Sequence, residues 1–241
     1  MPPREAVAAR ALPEWYPARY RDPWLEPFER RCLEGLAPGA RILDVGGGAR
    51  PSLARADRPP GSVYVALDTS AEQIRKAGPG AYDEVHLASA TERLPQLVGQ
   101  FDLVVSWQAL EHVRPLDRVL ENVHAYLRPG GRFVALVSGT FAAFAVAGRL
   151  VPHSVATRAM SRLLGRQPET VFPAHYDHCW HGALTTLLRP WARAEVVPLF
   201  RGGGYFSFSP PLARAYLAYE SWAERGAHAN LATHYLIDAT A

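Results

Sequence analysis

The chain has 241 residues, 48% of them apolar, and a formal net charge of +3. So mild a positive charge, without any run of five basic residues, argues against a nucleic-acid partner. The two cysteines, Cys32 and Cys179, exclude a disulfide framework and favour a reducing cytosol. No apolar run is long enough to span a bilayer, and the first residues lack the apolar segment of a signal peptide, so we expect a cytoplasmic protein without stable membrane insertion.

The length fits a single α/β domain over residues 1–241, which begins with an N-terminal helical cap. Within the cap, residues 1–38, apolar side chains at helical spacing predict a helix from Trp24 to Leu36. Tyr20 lies just before this helix. Aromatic residues in such places ordinarily join the core, and the alternative is that Tyr16 and Tyr20 close over a cofactor.

A glycine-rich turn follows the first predicted strand, Ile42 to Val45, which is an apolar run of the buried parallel type. Asp44 lies near the end of this strand. The turn consists of Gly46, Gly47 and Gly48. Glycines allow a sharp bend and a close approach to a ligand, and Pro51 predicts the first turn of a short helix beyond them. The arrangement predicts a nucleotide-sized crevice at the carboxyl end of a sheet.

Two classes of cofactor use such a crevice. The dinucleotide fingerprint requires glycine at the sixth place of the turn, where this chain has Pro51, so a nicotinamide-dependent oxidoreductase is disfavoured. An acidic residue two places before the first glycine instead suits a ligand with a positively charged amino-acid end.

The second predicted strand, Ser62 to Asp68, ends in an acidic residue that stands 20 positions after Gly48. A carboxylate at this place can accept hydrogen bonds from both hydroxyls of a ribose, and Thr69 adjoins it. The alternative is that Asp68 caps the helix that follows, and the two roles are compatible.

Two further strands, a helix and a fifth strand continue the same rhythm. The strands are Glu84 to Ser89, Phe101 to Trp107 and Arg132 to Ser138, and the helix from Pro115 to Leu127 is predicted to end in a glycine cap at Arg128 to Gly131. Because short crossovers join successive strands, the sheet should be parallel, open and twisted. Residues that follow the fourth strand, from Gln108 to Val113, then lie on the ligand side of the sheet.

The segment 139–181 departs from this rhythm and predicts a helical lid that lines an acceptor pocket. Its middle part is apolar with spaced arginines, so the alternative is contact with a membrane surface or a lipid-like substrate. Its end contains His175, Tyr176, Asp177, His178 and His181. The spacing is not a standard set of metal ligands, and we predict a substrate pocket without a metal.

The last part of the chain predicts a helix from Gly182 to Trp191, a sixth strand from Ala194 to Phe200, a helix from Pro211 to Arg225 and a final strand from Ala232 to Ala239.

Three strings resemble class I S-adenosylmethionine (SAM)-dependent methyltransferases: Asp44-x-Gly46-x-Gly48, Glu111-His112-Val113, and the run from Leu127 to Val134. The resemblance implies a Rossmann-like doubly wound α/β sheet of about seven strands, mostly parallel with an antiparallel last strand, and helices on both faces. It implies SAM as the cofactor, with the methionine amino group near Asp44, the adenine near Ala90 and Thr91, and Trp107 and Gln108 facing the cofactor.

The function implied is transfer of a methyl group to oxygen or nitrogen of a small molecule, in natural-product, glycan or lipid biosynthesis. A hydroxyl acceptor needs a base, and His112 and His175 are the candidates. The alternative role for His112 is to cap the helix that begins near Pro115. In an extended segment His175 and Asp177 share one side, so Asp177 is a candidate to orient the imidazole of His175. Tyr20, His175, Tyr176 and His178 are the candidate acceptor-binding residues. Arg50 and Ala90 differ from the family pattern, so the alternative is a non-catalytic partner subunit with the same fold. A monomer or a homodimer fits either reading.

Overall fold

The computed structural model describes residues 13–21, 26–142, 145–146 and 174–241. A seven-stranded sheet lies at the centre, in the order β3-β2-β1-β4-β5-β7-β6. The strands are β1 Arg41–Val45, β2 Val63–Asp68, β3 Glu84–Leu87, β4 Phe101–Trp107, β5 Leu127–Ser138, β6 Arg193–Leu199 and β7 His234–Thr240. Neighbouring pairs among β1 to β5 are parallel, and β7 is antiparallel to both β5 and β6. The predicted Rossmann-like sheet with an antiparallel last strand is confirmed.

Helices cover both faces of this sheet. In the described part of the chain they are α1 Glu26–Leu33, α2 Ala71–Lys76, α3 Leu116–Tyr126, α4 His181–Leu187 and α5 Pro210–Arg225. Helix α3 buries Leu116, Val119 and Val123, which recur at helical spacing, against one face of the sheet. Helix α1 packs Phe28 and Cys32 on the other face. None of the described helices combines the length and the apolar content needed to cross a membrane.

The helix predicted at Pro51 does not form, and the chain is irregular there except for a 3-10 turn at Arg55–Asp57. Side chains of the sheet hold the loop that stands in its place. The carboxylate of Asp44 accepts from the Ser52 N–H at 2.6 Å, and the Tyr64 hydroxyl accepts from the Leu53 N–H at 3.0 Å. These contacts satisfy two backbone donors and fix the loop against β1 and β2.

The predicted glycine cap at residues 128–131 is also wrong. Helix α3 ends at Tyr126, and Leu127 already pairs with Phe101 as the first residue of β5. The last carbonyls of the helix accept from residues before β4: Ala125 from the Gly99 N–H and Tyr126 from the Gln100 N–H, both at 2.9 Å. With these carbonyls paired, the chain needs no glycine to end the helix.

The predicted N-terminal cap and lid are described only in part. Residues 13–21 and α1 belong to the former, and residues 139–142, 145–146 and 174–181 to the latter. The apolar segment with spaced arginines falls on residues 147–173, which lie outside the described residues.

A cap that was not predicted connects the last two strands. Strand β6 ends at Leu199 directly opposite His234, where β7 begins, and His234 also pairs with Ser138 at the end of β5. The intervening residues 200–233, which include α5, therefore leave and rejoin the sheet at the edge where the parallel strands end. We call residues 200–233 the carboxyl-edge cap.

A buried carboxylate attaches the N-terminal residues 13–21 to this cap. Glu220, which is 1% exposed, accepts from the Gly202 N–H at 2.6 Å and from Arg19 Nη2 at 2.9 Å, and the Tyr20 hydroxyl donates to it as well. Burial and the Glu220 carboxylate raise the pKa of Tyr20, which therefore stays protonated and keeps donating. A buried charge with this many partners fixes the position of both segments.

We expect Glu220→Gln to lower the free energy of unfolding by about 3 kcal/mol, because it leaves the Arg19 guanidinium without its buried partner. Glu224→Gln is the matched control: Glu224 also binds Arg19, at 2.9 Å, but its side chain is 44% exposed. That change should cost less than about 1 kcal/mol. Urea denaturation measures both, and equal losses would show that burial of Glu220 adds nothing.

Candidate functional site

The glycine turn rests on the side chain of Asp44, which is fully buried in β1. Its carboxylate accepts from Ser52 Oγ and from the Tyr64 hydroxyl, each at 2.7 Å, in addition to the Ser52 N–H. A Cβ at Gly47 would lie 2.4 Å from Asp44 Oδ2, so the turn passes directly over the carboxylate. Asp44 thus supports the turn from below and exposes no surface to the crevice.

Tyr64 and Tyr82 are two further supports of the turn. Tyr64 is fully buried under the guanidinium of Arg58, which lies 3.5 Å from its ring centroid. Burial and the Asp44 carboxylate raise the pKa of Tyr64, so its phenol remains a hydrogen-bond donor. Tyr82 stacks on Tyr64 and donates to the Gly48 carbonyl at 3.1 Å. Sequence reasoning missed both tyrosines, because neither belongs to a recognisable motif.

The first glycine also meets the loop that follows β4. Gly46 has φ +75°, and a Cβ there would lie 2.4 Å from the Cβ of Ala109. Only glycine satisfies both the backbone angle and the contact. The turn after β1 and the turn after β4 are therefore in van der Waals contact at the carboxyl edge of the sheet.

Asp68 lies on the other side of the turn, at the end of β2, and is half-buried. Its Oδ1 accepts from the Ser70 N–H at 2.7 Å, while the Ser70 hydroxyl caps α2 by accepting from the Gln73 N–H. The helix cap is therefore Ser70 rather than Asp68. A Cβ at Gly48 would lie 3.5 Å from Asp68 Oδ2, so this second oxygen faces the glycine turn, and Thr69 beside it is exposed.

Ala90 and Thr91 lie in the loop after β3, half-buried at the same edge. Asn122 of α3 donates to the Ala90 carbonyl at 2.9 Å. The hydroxyls of Ser89 and Thr91 are 2.8 Å apart, and the Ser89 oxygen accepts from the Thr91 N–H at 3.3 Å. These contacts give the loop a fixed shape beside Asp68, and the half-buried Ala90 packs partly against the main hydrophobic core.

Trp107 and Gln108 end β4. Trp107 is half-buried and packs edge-on against Phe28 of α1, with ring centroids 4.9 Å apart. Gln108 has φ +49°, a strained value for a residue with a Cβ, and its N–H donates to the Leu136 carbonyl at 2.7 Å. Strain of this kind persists where the surroundings fix the chain, and it is concentrated at ligand sites.

The segments that carry the two candidate bases are joined through the backbone of Glu111. His112 follows Glu111 directly, and the Glu111 carbonyl accepts from the backbone N–H groups of His175 at 2.8 Å and Tyr176 at 3.0 Å. Glu111 itself is 3% exposed, and Ser138 Oγ donates to its Oε1 at 2.5 Å. Its Oε2 is buried and has no hydrogen-bond partner among the described residues. Glu111 is a site residue that the sequence marked only as part of a recognised string.

Asp177 has a different partner from the one its spacing suggested. It pairs with Nδ1 of His178 at 2.7 Å rather than with His175, and its Oδ2 accepts from the Leu116 N–H at 2.8 Å. Asp177 therefore caps α3, the role weighed for His112. The imidazole of His175 is exposed. No group of three His, Cys, Asp or Glu side chains in the described ranges is arranged to hold a metal.

Tyr20, expected near the ligand, lies in the Glu220 network instead, where Gly203 N–H donates to its hydroxyl at 2.7 Å. This network joins residues 13–21 to the residues that follow β6 in the chain, so Tyr20 helps to fix the carboxyl-edge cap. Cys179 follows His178 in the chain and is fully buried. Burial raises the pKa of its thiol, and the nearby Glu111 and Asp177 add to the effect. The thiol therefore stays protonated and is no nucleophile.

Comparisons with known proteins agree with this geometry. Residues 16–194 match a sequence-family model described as a methyltransferase domain. An uncharacterized methyltransferase of Synechocystis is 35% identical over 115 residues, which are 45% of this chain and 52% of the relative. A ubiquinone biosynthesis O-methyltransferase of Brucella melitensis is 32% identical over 130 residues, which are 51% of this chain and 49% of the relative. The chain thus spans about half the length of these curated relatives.

Solved structures share the fold. An S-adenosylmethionine-dependent methyltransferase from Mesorhizobium loti aligns over 90% of this chain and 100% of its own, with a TM-score of 0.55 and 22% identity. The phosphoethanolamine N-methyltransferase 2 of Haemonchus contortus, solved with SAM, aligns over 90% of this chain and 51% of its own, with a TM-score of 0.52 and 13% identity.

The contact between Gly46 and Ala109 yields a test of how the turn is built. Gly46→Ala should destabilise the turn and abolish ligand binding there, because its Cβ would overlap that of Ala109. The double variant Gly46→Ala, Ala109→Gly removes the overlap and should recover most of the loss, leaving the positive-φ cost of roughly 1–2 kcal/mol.

Thermal melts and calorimetric titration with SAM measure the recovery. Gly48→Ala serves as the control in the thermal melts, because its Cβ would meet no protein atom closer than 3.5 Å and it carries only the backbone cost. A double variant no better than Gly46→Ala would show that the overlap does not limit the turn.

Proposed function

The chain belongs to the class I SAM-dependent methyltransferases, and on that premise we propose that it transfers a methyl group from SAM to a hydroxyl of a small molecule. The observation that carries the proposal is the cradle between Gly46, Gly48 and Asp68, with Asp68 Oδ2 turned toward glycine backbone. Cys32 and Cys179 are buried free thiols, which supports placing the reaction in the reducing cytosol.

The cradle fits SAM by the chemistry of its groups. We propose that Asp68 and Thr69 bind the ribose, since a carboxylate at the end of β2 accepts from both of its hydroxyls. Gly46, Gly47 and Gly48 bring backbone close to the amino-acid end of the cofactor. Asp44 acts on that end through the turn it supports, because its carboxylate is enclosed by Ser52 and Tyr64.

The adenine is proposed to lie against the loop of Ala90 and Thr91. The exposed part of Ala90 offers apolar contact. The fixed backbone of the loop offers polar groups in place of the acidic residue that the family pattern has at the position of Ala90. Trp107 and Gln108, at the end of β4, then border the cofactor between this loop and the glycine turn. The strain at Gln108 fits such a role, because it is the residue at which β4 meets the site.

The acceptor is proposed to bind on the β4 and β5 side, against the segment 174–178. His175, Tyr176 and His178 belong to this segment, and its backbone is attached to Glu111. The Brucella relative is named as an O-methyltransferase, which favours an oxygen acceptor and a place in small-molecule biosynthesis. Tyr20 contributes indirectly, by holding the carboxyl-edge cap in position.

When bound, SAM supplies an electrophilic methyl group on a sulfonium that is a good leaving group. The residues of this chain have two tasks. They hold the acceptor oxygen in line, and such orientation supplies ~7–11 kcal/mol in favourable cases. A histidine, His112 or His175, takes the hydroxyl proton; histidine side chains titrate near neutral pH and so accept protons there.

We expect Asp68→Asn to weaken SAM binding at least tenfold, because a hydrogen bond to a charged group contributes ~1.5–3 kcal/mol. Calorimetric titration of the folded variant measures the affinity. Ser70→Ala is the control: it removes the cap of α2, at about 1 kcal/mol of stability, and leaves the Asp68 carboxylate in place. A variant of Asp68 that binds SAM like the wild type would refute the ribose assignment.

The base is tested by turnover measurements at neutral pH on a hydroxyl acceptor found by screening. His112→Ala or His175→Ala should lower turnover by ~10²–10⁴-fold. His86→Ala, on the edge strand β3, is the control and should behave as the wild type. If both variants stay within about tenfold of the wild type, orientation alone carries the reaction.

A further inference from the structure

Large apolar side chains are exposed together on one part of the molecule. Isolated exposed apolar residues are ordinary, but a group of them marks an interaction surface. The group comprises Trp15 at 36% exposed, Phe208 at 46%, Leu212 at 44%, Tyr219 at 38% and Trp222 at 51%. Four of these belong to the carboxyl-edge cap, and Trp15 belongs to the N-terminal residues attached to it.

Helix α5 presents these side chains on one side. Leu212, Tyr219 and Trp222 recur at intervals of seven and three, which places them along one face, and the alanines between them, Ala215 and Ala218, are exposed as well. The opposite face of α5 is the one that buries Tyr216, Leu217 and Glu220. We call the exposed side, with Phe208 and Trp15, the α5 face.

The charge beside the α5 face is positive. Arg214 lies over the ring of Trp15, 5.0 Å from its centroid, and Arg225 stands about 16 Å further along the helix. Both line a groove of about 360 Å³ with Trp15, Pro17, Leu217 and Ser221. Neither arginine makes an ion pair with any described residue. The two acids of α5 both bind Arg19, so no carboxylate of this helix pairs with Arg214 or Arg225.

We propose that the α5 face docks on the surface of an anionic membrane. Tryptophan, tyrosine and phenylalanine are favoured at the level of lipid headgroups, where one part of the ring is apolar and the surroundings are polar. Arginines at that level are attracted to anionic headgroups. A second copy of the chain fits less well, because a symmetric contact would bring the same arginines of both copies together.

The position of the face gives docking a purpose, in a step that rests on the proposed function. The cap leaves and rejoins the sheet at the edge that holds the glycine turn and Asp68. A membrane against the cap would therefore lie near the acceptor side of the site. The acceptor class that fits is a hydroxyl compound that partitions into the bilayer.

The test is co-sedimentation of the full chain, without SAM, with vesicles of phosphatidylcholine alone or mixed in equal parts with phosphatidylglycerol. We expect binding to the mixed vesicles and little to phosphatidylcholine alone. Arg214→Gln with Arg225→Gln should lower the affinity roughly tenfold to thirtyfold. Phe208→Ser with Trp222→Ser should lower it further at high salt, where the electrostatic attraction is screened.

The matched control is Arg189→Gln with Arg193→Gln, two exposed arginines at the start of β6, the opposite edge of the sheet. It removes the same charge and should keep binding within about threefold of the wild type. Equal losses in both arginine pairs would reduce the effect to net charge and overturn the proposal. So would an absence of wild-type binding, or a dimer in light scattering that Trp222→Ser dissociates. Binding of SAM is measured separately, so failure here leaves the proposed function standing.

Discussion

The buried carboxylate of Asp44 is the interaction on which the site depends. It accepts three hydrogen bonds from two residues, Ser52 and Tyr64, and the glycine turn passes directly over it. Burying a carboxylate costs free energy, and these hydrogen bonds offset that cost, so the loop after the turn and the neighbouring strand are constrained together with it. The same interaction fixes the loop at Ser52, where the expected helix does not form. The cradle is thus shaped by an acid beneath it, and its ligand-facing surface is glycine backbone and Asp68.

The short turn after β4 connects the two halves of the site. Ala109 packs on Gly46 in the glycine turn, and the carbonyl of Glu111 accepts from the backbone N–H groups of His175 and Tyr176 in the segment 174–178. Only one residue separates these two contacts. A displacement of the turn therefore moves both sides at once, because neither contact leaves room for independent adjustment. The positive φ of Gln108 is held in place by its hydrogen bond to Leu136, which anchors the turn to β5.

The sheet was predictable from the sequence because most of its strands are apolar runs between turn signals, and the positions of Asp44, Gly46 and Asp68 follow from that order. Roles that depend on side-chain partners were not predictable. Asp177 lies two residues after His175, and alternation in an extended segment favoured a partnership between the two. In the structure Asp177 instead binds His178 and the N–H of Leu116. Tyr64 was read only as part of a strand, because its hydroxyl acts on a residue 20 positions away.

The carboxyl-edge cap shows why the far end of the chain bears on the site. A helix between two antiparallel strands gives no distinctive sequence pattern. Only the pairing of Leu199 with His234 shows that residues 200–233 leave and rejoin the sheet at its carboxyl edge. Glu220 then joins this cap to Arg19 and Tyr20, some 200 positions earlier in the chain. Because the charge of Glu220 is buried, separating the two segments would leave Glu220 on one side and Arg19 on the other without their shared ion pair. The two segments therefore behave as one unit. The α5 face is therefore built from both ends of the sequence, with Trp15 of the first segment lying against Arg214 of α5.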